Sequence, residues 1–188
     1  MYLKSVDGKP GLIGKHLITD TEEAKAFLRL PWERFEPEVD SFAERERRIG
    51  DEALLYAGLP ADPIYQLQIL VGSETLAIWS VTERPLVQEF LRVFQHRWHG
   101  YVESLLKRGV GPVFGYVGPE LCIPPLMSYR DFDEFVVEIE KPTLDAIHEA
   151  GGLVWVHCHG NMRNLLARFH EMDNYRTFVE VGKTLGQY

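Results

Sequence analysis

Three features that are scarce in this sequence restrict the classes of protein to which it belongs. Two cysteines, Cys122 and Cys158, occur among 188 residues, too few for a disulfide framework, so we expect a reducing, cytoplasmic location. Positive charge is outweighed by negative charge, and the formal net charge of −8 argues against nucleic acid or an anionic membrane as a partner. No apolar run is long enough to span a bilayer, and Met1–Lys15 lacks the apolar core of a signal peptide.

The hydrophobic pattern predicts a chain in which helices alternate with short strands. The clearest helix spans Pro85–Lys107, where apolar residues recur every three and four positions. Strands are predicted at Pro112–Val117 and Val154–His159, separated by a helix over Asp131–Ala150 that Pro142 should kink. Further helices are predicted at Asp20–Leu30, Pro37–Ile49, Ser73–Trp79 and Asn161–Met172, and a further strand at Ala53–Ala57.

Strands alternating with helices in this order favour an α/β fold with parallel βαβ units. Such units either close into a (β/α)₈ TIM barrel or form an open doubly wound sheet. No Gly-rich phosphate loop follows a strand, which weakens the nucleotide-binding form of the open sheet. A complete barrel typically needs about 250 residues. We therefore expect a single, incomplete barrel domain over residues 1–188, or a chain that completes its sheet with another chain as a homo-oligomer.

The stretch VWVHCHGN, Val154 to Asn161, carries the strongest chemical signal in the sequence. Side chains alternate along a strand, so His157 and His159 should share one face while Cys158 points to the other face. Two imidazoles on one face are suited to binding zinc, although a catalytic zinc usually has about three protein ligands. The other interpretation is a pair of hydrogen-bonded histidines at a strand end, with Cys158 as a packed core thiol.

Functional residues of parallel α/β folds lie just beyond the carboxyl ends of the strands. Tyr116 lies near the end of the preceding strand and would either hydrogen-bond a ligand or cover the core with its hydroxyl in solvent. Glu120 follows in the loop and is a candidate metal ligand, acid–base group or substrate contact, or a loop carboxylate in water. Candidates for substrate contacts are Met127, which ends that loop, and Asn161 and Arg163, at the positive end of the predicted last helix.

Several segments together resemble the uroporphyrinogen decarboxylase superfamily. LMSYRDFDEFVVEIEKPTLDAIHEAGGLVWVHCHGNMRNLLARFHEM is similar to its core, which has an S-P-x-x-F-x-E-F segment, a helix ending H-x-x-G-G and a strand ending H-x-x-G-N or H-x-H-G. ITDTEEAKAFLRLPWERFEP resembles the lead-in to its first helices, and LLKRGVGPVFGYVGPE resembles its next helix, strand and GPE-like loop. The resemblance covers most of residues 12–172.

This resemblance implies a (β/α)₈ barrel and one of two chemistries. One branch decarboxylates the acetate side chains of uroporphyrinogen, in porphyrin biosynthesis, without a cofactor. The other branch transfers methyl groups between corrinoid proteins and thiols or methoxylated compounds, and uses zinc to make the thiolate a better nucleophile. The H-x-C-G-N motif of the zinc branch matches at His157, but His159 stands where that motif has cysteine, and the later second cysteine has no counterpart.

We therefore expect metal-assisted methyl transfer, with zinc at His157 and His159 and with Glu120 and Tyr116 as catalytic residues. The partners would be a small-molecule substrate and a corrinoid protein as external methyl carrier. The alternative is cofactor-free decarboxylation of a tetrapyrrole, whose arginines and catalytic aspartate belong to barrel strands upstream of this chain. A third alternative is an inactive, truncated member of the family.

Overall fold

The amino-terminal part of the chain contributes a short antiparallel strand pair and two surface helices. The structure, a computed structural model, describes residues 2–4, 12–160, 162–173 and 177–182. Strands β1 (Tyr2–Lys4) and β2 (Leu12–Lys15) pair antiparallel. Helix α1 (Thr21–Leu28) begins after Asp20, whose carboxylate accepts two backbone N–H groups of the first turn. Helix α2 (Asp40–Ile49) starts three residues later than predicted and ends at Gly50, which has a φ of 53°.

Three helices in succession form most of the helical layer. These are α3 (Pro63–Val71), α4 (Ser73–Thr82) and α5 (Arg84–Lys107). Helix α5 confirms the predicted long helix, and its apolar stripe is buried against the rest of the core. Helix α3 was not predicted. Asp62 caps it by accepting the backbone N–H of Tyr65 at 2.7 Å, and Pro63 occupies the favoured first position.

The predicted helix between the two central strands is irregular. It consists of α6 (Tyr129–Phe132), a π-helical turn over Asp133–Val137 and α7 (Glu138–Glu149). Within the π turn, the N–H of Glu138 donates to the carbonyl of Asp133. Pro142 lies inside α7, so the irregularity occurs about one turn before the proline rather than at the proline itself.

A parallel sheet forms the other layer. Its strands are β3 (Tyr56–Gly58), β4 (Val113–Val117), β5 (Leu153–His159) and β6 (Thr177–Gly182). They pair in the order β3-β4-β5-β6, all parallel. Helix α8 (Leu166–Asp173) lies between β5 and β6 in the chain and starts five residues later than predicted. Strands that follow one another in the chain are therefore neighbours in the sheet.

The predicted (β/α)₈ barrel is wrong. The described residues form an open four-stranded parallel sheet with β3 and β6 at its edges. Closure of a parallel barrel of this kind needs eight tilted strands, and four cannot curve far enough to bring their edges together. The fold is mixed helix and strand, with one small parallel sheet.

The two faces of the sheet have different environments. Phe114, Tyr116, Val154, Val156 and Cys158 are buried against the helices. On the opposite face Trp155, His157 and His159 are only half-buried, and Tyr56, Val117 and Leu153 are exposed. In the part of the chain that is described, the helices therefore cover one face of the sheet and leave the other open. None of the described helices combines the length and apolar character needed to cross a bilayer.

Gly118 is the point at which the loop after β4 touches β5, and it offers a test of this packing. A Cβ atom at Gly118 would lie 2.5 Å from Cγ1 of Val156 and 2.6 Å from Sγ of Cys158, both buried. We expect Gly118→Ala to lower the free energy of unfolding by about 1–3 kcal/mol, because β5 must shift to admit the methyl group.

The matched control is Gly58→Ala in β3, where a Cβ atom would have no neighbour within 4 Å. Its effect on the free energy of unfolding should stay within about 0.5 kcal/mol. Both variants are measured by urea denaturation. Equal stability of the two variants would show that the loop does not pack on β5 in this way.

Candidate functional site

The two histidines of β5 lie side by side on the open face of the sheet. Their Nε2 atoms are 2.9 Å apart, and their rings are nearly perpendicular, with centroids 4.6 Å apart. Cys158, between them in the sequence, is fully buried on the opposite face. The strand therefore places His157, His159 and Cys158 on the faces that the alternation predicted.

Glu120 interacts electrostatically with the two histidines. It begins a short 3₁₀ turn, Glu120–Cys122, in the loop after β4. One of its carboxyl oxygens, Oε2, is buried and has no hydrogen-bond partner among the described residues. Partial burial raises the pKa of this carboxyl, while the nearby His159 and His157 lower it to a smaller extent. A carboxyl group in this setting exchanges a proton closer to neutral pH than one in water.

A metal ligand set larger than the histidine pair is not formed by the described residues. Among them, no three or more His, Cys, Asp or Glu side chains are grouped so that they could hold a metal ion. The Nε2 atoms of His157 and His159 are at hydrogen-bond distance from each other, as in the alternative of a hydrogen-bonded pair, and the same two nitrogens are the ones that would bind an ion. The remaining coordination positions would have to come from water or substrate.

Tyr116 does not point to the open face. It is buried on the helix side of the sheet and packs edge-on against Trp98, with ring centroids 5.3 Å apart. Its hydroxyl donates a hydrogen bond to Glu140 of α7. Neither predicted role describes it, because its hydroxyl reaches neither the strand-end site nor solvent. The reason is the register of β4, in which Val117, and not Tyr116, shares a face with His157.

Two carboxylic acids that were not predicted join Tyr116 in the interior. Asp62 and Glu140 are 0% and 1% exposed; Asp62 accepts the backbone N–H of Tyr65 and Glu140 accepts the hydroxyl of Tyr116. Burial raises the pKa of Asp62 to about 7, against a smaller lowering by the N–H of Tyr65. Burial and the charge of Asp62 raise the pKa of Glu140 well above its usual range. Burial, followed by the charge of Glu140, raises the pKa of the Tyr116 hydroxyl.

The sequence contains a signal for each of these acids. Asp62 immediately precedes Pro63, and Asp followed by Pro is typical of a helix start. Glu140 lies four residues after Val136 and four before Leu144, both on the predicted apolar face of the same helix. The spacing thus indicates that Glu140 is buried.

The substrate contacts predicted from the two strand-end loops have different surroundings. Met127 is buried and lines an open cavity of about 670 Å³ between α4 and the loop before α6. Arg163 is exposed in the turn ahead of α8, because that helix begins at Leu166. Asn161 lies outside the described residues. Met127 therefore lies in the wall of a cavity. Arg163 precedes α8 and is not part of its first turn, where it had been predicted.

Both cysteines are free and buried. Burial raises the pKa of the Cys122 thiol and that of the Cys158 thiol. Nearby acids raise both further; Asp131 is the first of them for Cys122 and Glu120 for Cys158. These thiols therefore stay protonated at neutral pH and are poor nucleophiles and poor metal ligands.

Comparisons with known proteins add no family. No family model, no curated protein and no solved structure matches the chain.

The hydrogen bond from Tyr116 to Glu140 can be tested by removing the hydroxyl. Tyr116→Phe should lower the free energy of unfolding by about 1–3 kcal/mol, because a buried carboxyl group loses a donor. The control is Tyr129→Phe, since Tyr129 is 37% exposed and its hydroxyl accepts from Asn164 at 3.0 Å. Urea unfolding at constant pH measures both changes. If Tyr129→Phe costs as much as Tyr116→Phe, the buried contact has no special role.

Proposed function

We propose that this protein binds a divalent metal ion, preferably zinc, at His157 and His159, and that it transfers a methyl group to a thiol or a similar acceptor. The donor would be a corrinoid protein or a methoxylated compound. The proposal joins the arrangement of the strand-end residues to the resemblance to the methyltransferase branch of the uroporphyrinogen decarboxylase superfamily. The observation that carries it is the approach of the two imidazole Nε2 atoms on one face of β5, with Glu120 in electrostatic interaction with both rings.

The histidine pair matches zinc in its ligand chemistry. Both rings project from one face of β5, and their Nε2 atoms are 2.9 Å apart. Neutral imidazole is a good zinc ligand, with usual zinc–nitrogen distances of about 2.0–2.1 Å. A bound zinc ion would lower the pKa of an acceptor thiol and so increase its thiolate fraction at neutral pH.

Glu120 is the residue best placed to move a proton in this site. Its buried Oε2 atom has no hydrogen-bond donor among the described residues, and its raised pKa favours proton uptake. During the transfer, the thiol proton would pass to the carboxyl group of Glu120. The sulfur would then bond to the methyl carbon as the donor–carbon bond breaks, and the donor would keep that electron pair.

We place the rest of the substrate in the cavity that Met127 lines, although its described lining residues include neither the two histidines nor Glu120. The loop that leads to this cavity packs against Gly160, the residue that follows β5. A Cβ atom added to Gly160 would lie 2.8 Å from Cδ1 of Ile123. Pro124, Pro125 and Leu126 line the cavity together with Met127. These apolar walls suit a small uncharged or weakly charged molecule.

Tetrapyrrole decarboxylation has less support from the same residues. Uroporphyrinogen carries several carboxylates, which would need arginine or lysine partners. Arg84 in the cavity is already paired with Asp131 at 2.7 Å and with Glu134 at 2.7 Å. Arg130, on the rim, pairs with Glu134 at 2.6 Å. Decarboxylation would be supported if an anionic tetrapyrrole bound to metal-free protein and changed its absorbance.

The proposal includes a reducing, cytosolic location. Cys122 and Cys158 are both free thiols, as is usual for proteins of that compartment.

Zinc content is the direct test of the metal site. The purified chain, dialysed against zinc, should retain about one zinc ion per molecule, and His157→Ala should abolish this binding because one imidazole alone is a weak site. Elemental analysis measures the content. The control is His96→Ala, which removes an exposed histidine of α5 and should leave the zinc content unchanged.

A second variant separates metal binding from proton transfer. Glu120→Gln should keep the zinc content and lower the rate of thiol methylation by roughly 10²–10⁴-fold. Wild-type protein without zinc, or a His157→Ala variant that keeps it, would contradict the metal site. An unchanged rate in the Gln variant would contradict the assignment of Glu120 alone.

A further inference from the structure

A cavity of about 220 Å³ lies between α2, β3 and α5. Its apolar wall is formed by Val39, Phe42, Leu55, Ala57, Leu105 and Val110. Among the described residues, none lines both this cavity and the larger one that Met127 lines, and neither His157 nor His159 borders it. It is therefore a separate place at which this part of the chain can enclose a small molecule.

The segment that precedes α2 is fixed along α5, and this builds one wall of the cavity. Oγ of Ser104 donates to Oε2 of Glu36 at 2.6 Å. Nη1 of Arg108, one turn further along the chain, donates to the carbonyl of Pro37. Val39 follows two residues later, at the start of α2. These hydrogen bonds therefore hold the first turn of α2 beside α5, with the cavity between the two helices and β3.

Two aromatic rings from different helices line the cavity. Tyr101 of α5 stacks on Phe35, with ring centroids 6.1 Å apart and an angle of 18° between the ring planes. Phe42 of α2 is partly buried against the core. Aromatic side chains pack favourably against other flat apolar groups. An apolar cavity of about 150 Å³ can hold a benzene molecule, so this cavity has room for one ring and a short substituent.

Two charged side chains border the same cavity, and they differ in how their polar atoms are used. The carboxylate of Glu38 already accepts the backbone N–H of Asp40 at 2.6 Å and the hydroxyl of Ser41 at 2.8 Å. Arg45 forms no side-chain hydrogen bond or ion pair with the described residues. Its guanidinium group presents N–H donors in a planar geometry that matches a carboxylate. The charge that is available in this cavity wall therefore favours an anion.

We propose that this cavity binds a small monocarboxylate whose apolar body is the size of one benzene ring. The body lies against Phe42 and Tyr101, and the carboxylate pairs with Arg45, which is exposed and so lies at the opening of the cavity. Binding needs no metal ion, and no covalent bond forms or breaks. The site is thus independent of the proposed methyl transfer at the histidines.

Phenylacetate is the probe, and its titration into the full chain is followed by the ¹H–¹⁵N NMR resonances of the backbone amides. A ligand of this size should bind with a Kd of about 1 mM or lower, and the amides of Ala57 and Val110 should shift. Arg45→Gln should raise the Kd by about tenfold or more, because the carboxylate loses its charge-assisted hydrogen bonds. Phenylacetamide, which has the same shape without the charge, should bind wild-type protein more weakly by a similar factor.

Matched variants distinguish this site from general attraction of an anion. Arg48→Gln removes the same charge from the same helix at a position that does not line the cavity, and it should leave the Kd unchanged. Ala57→Leu fills the cavity with a larger side chain and should abolish binding. If that variant does not fold, phenylacetate and phenylacetamide still test the site in wild-type protein. The proposal is overturned if wild-type protein does not bind phenylacetate at millimolar concentrations, if Arg45→Gln and Arg48→Gln bind it equally, or if phenylacetamide binds as tightly.

Discussion

The parallel pairing of β4 with β5 is the constraint on which the rest of the structure depends. Five residue pairs, from Val113–Leu153 to Val117–His157, fix the register, and Gly118 extends it by donating to the carbonyl of His157 at 2.8 Å. Since side chains alternate along each strand, this register decides at once which residues enter the helical layer. A shift of one residue would bury both histidines and expose Cys158.

Two different chemical environments follow from this single register. On the helix side, Tyr116 and the acids of α3 and α7 are buried, and burial raises the pKa of all three groups. On the open side, His157 and His159 are half-buried and interact electrostatically with Glu120 of the loop after β4. Glu120 also interacts electrostatically with Asp62 and Cys158, so it couples the two environments.

The spacing of apolar residues within single segments was enough to predict several elements of the fold. The long α5 helix, the β5 strand and the opposite orientations of His157 and Cys158 all follow from spacing within one segment. Closure of the sheet depends on how many strands are available, and the family resemblance suggested eight where the described residues form four in parallel. Tyr116 was misassigned because the face of a strand residue depends on register with its neighbour. Asp62 and Glu140 carry separate local signals, but their meeting is a tertiary contact between distant segments.

We propose that the face of β5 bearing His157 and His159 is a metal site. A zinc titration followed by the ¹⁵N NMR resonances of the histidine ring nitrogens tests this site. We expect the Nε2 resonances of both His157 and His159 to shift, and both shifts to be complete at about one molar equivalent. The resonances of the exposed His96 should not move. Unchanged Nε2 resonances of His157 and His159, with zinc taken up at other histidines, would contradict the claim.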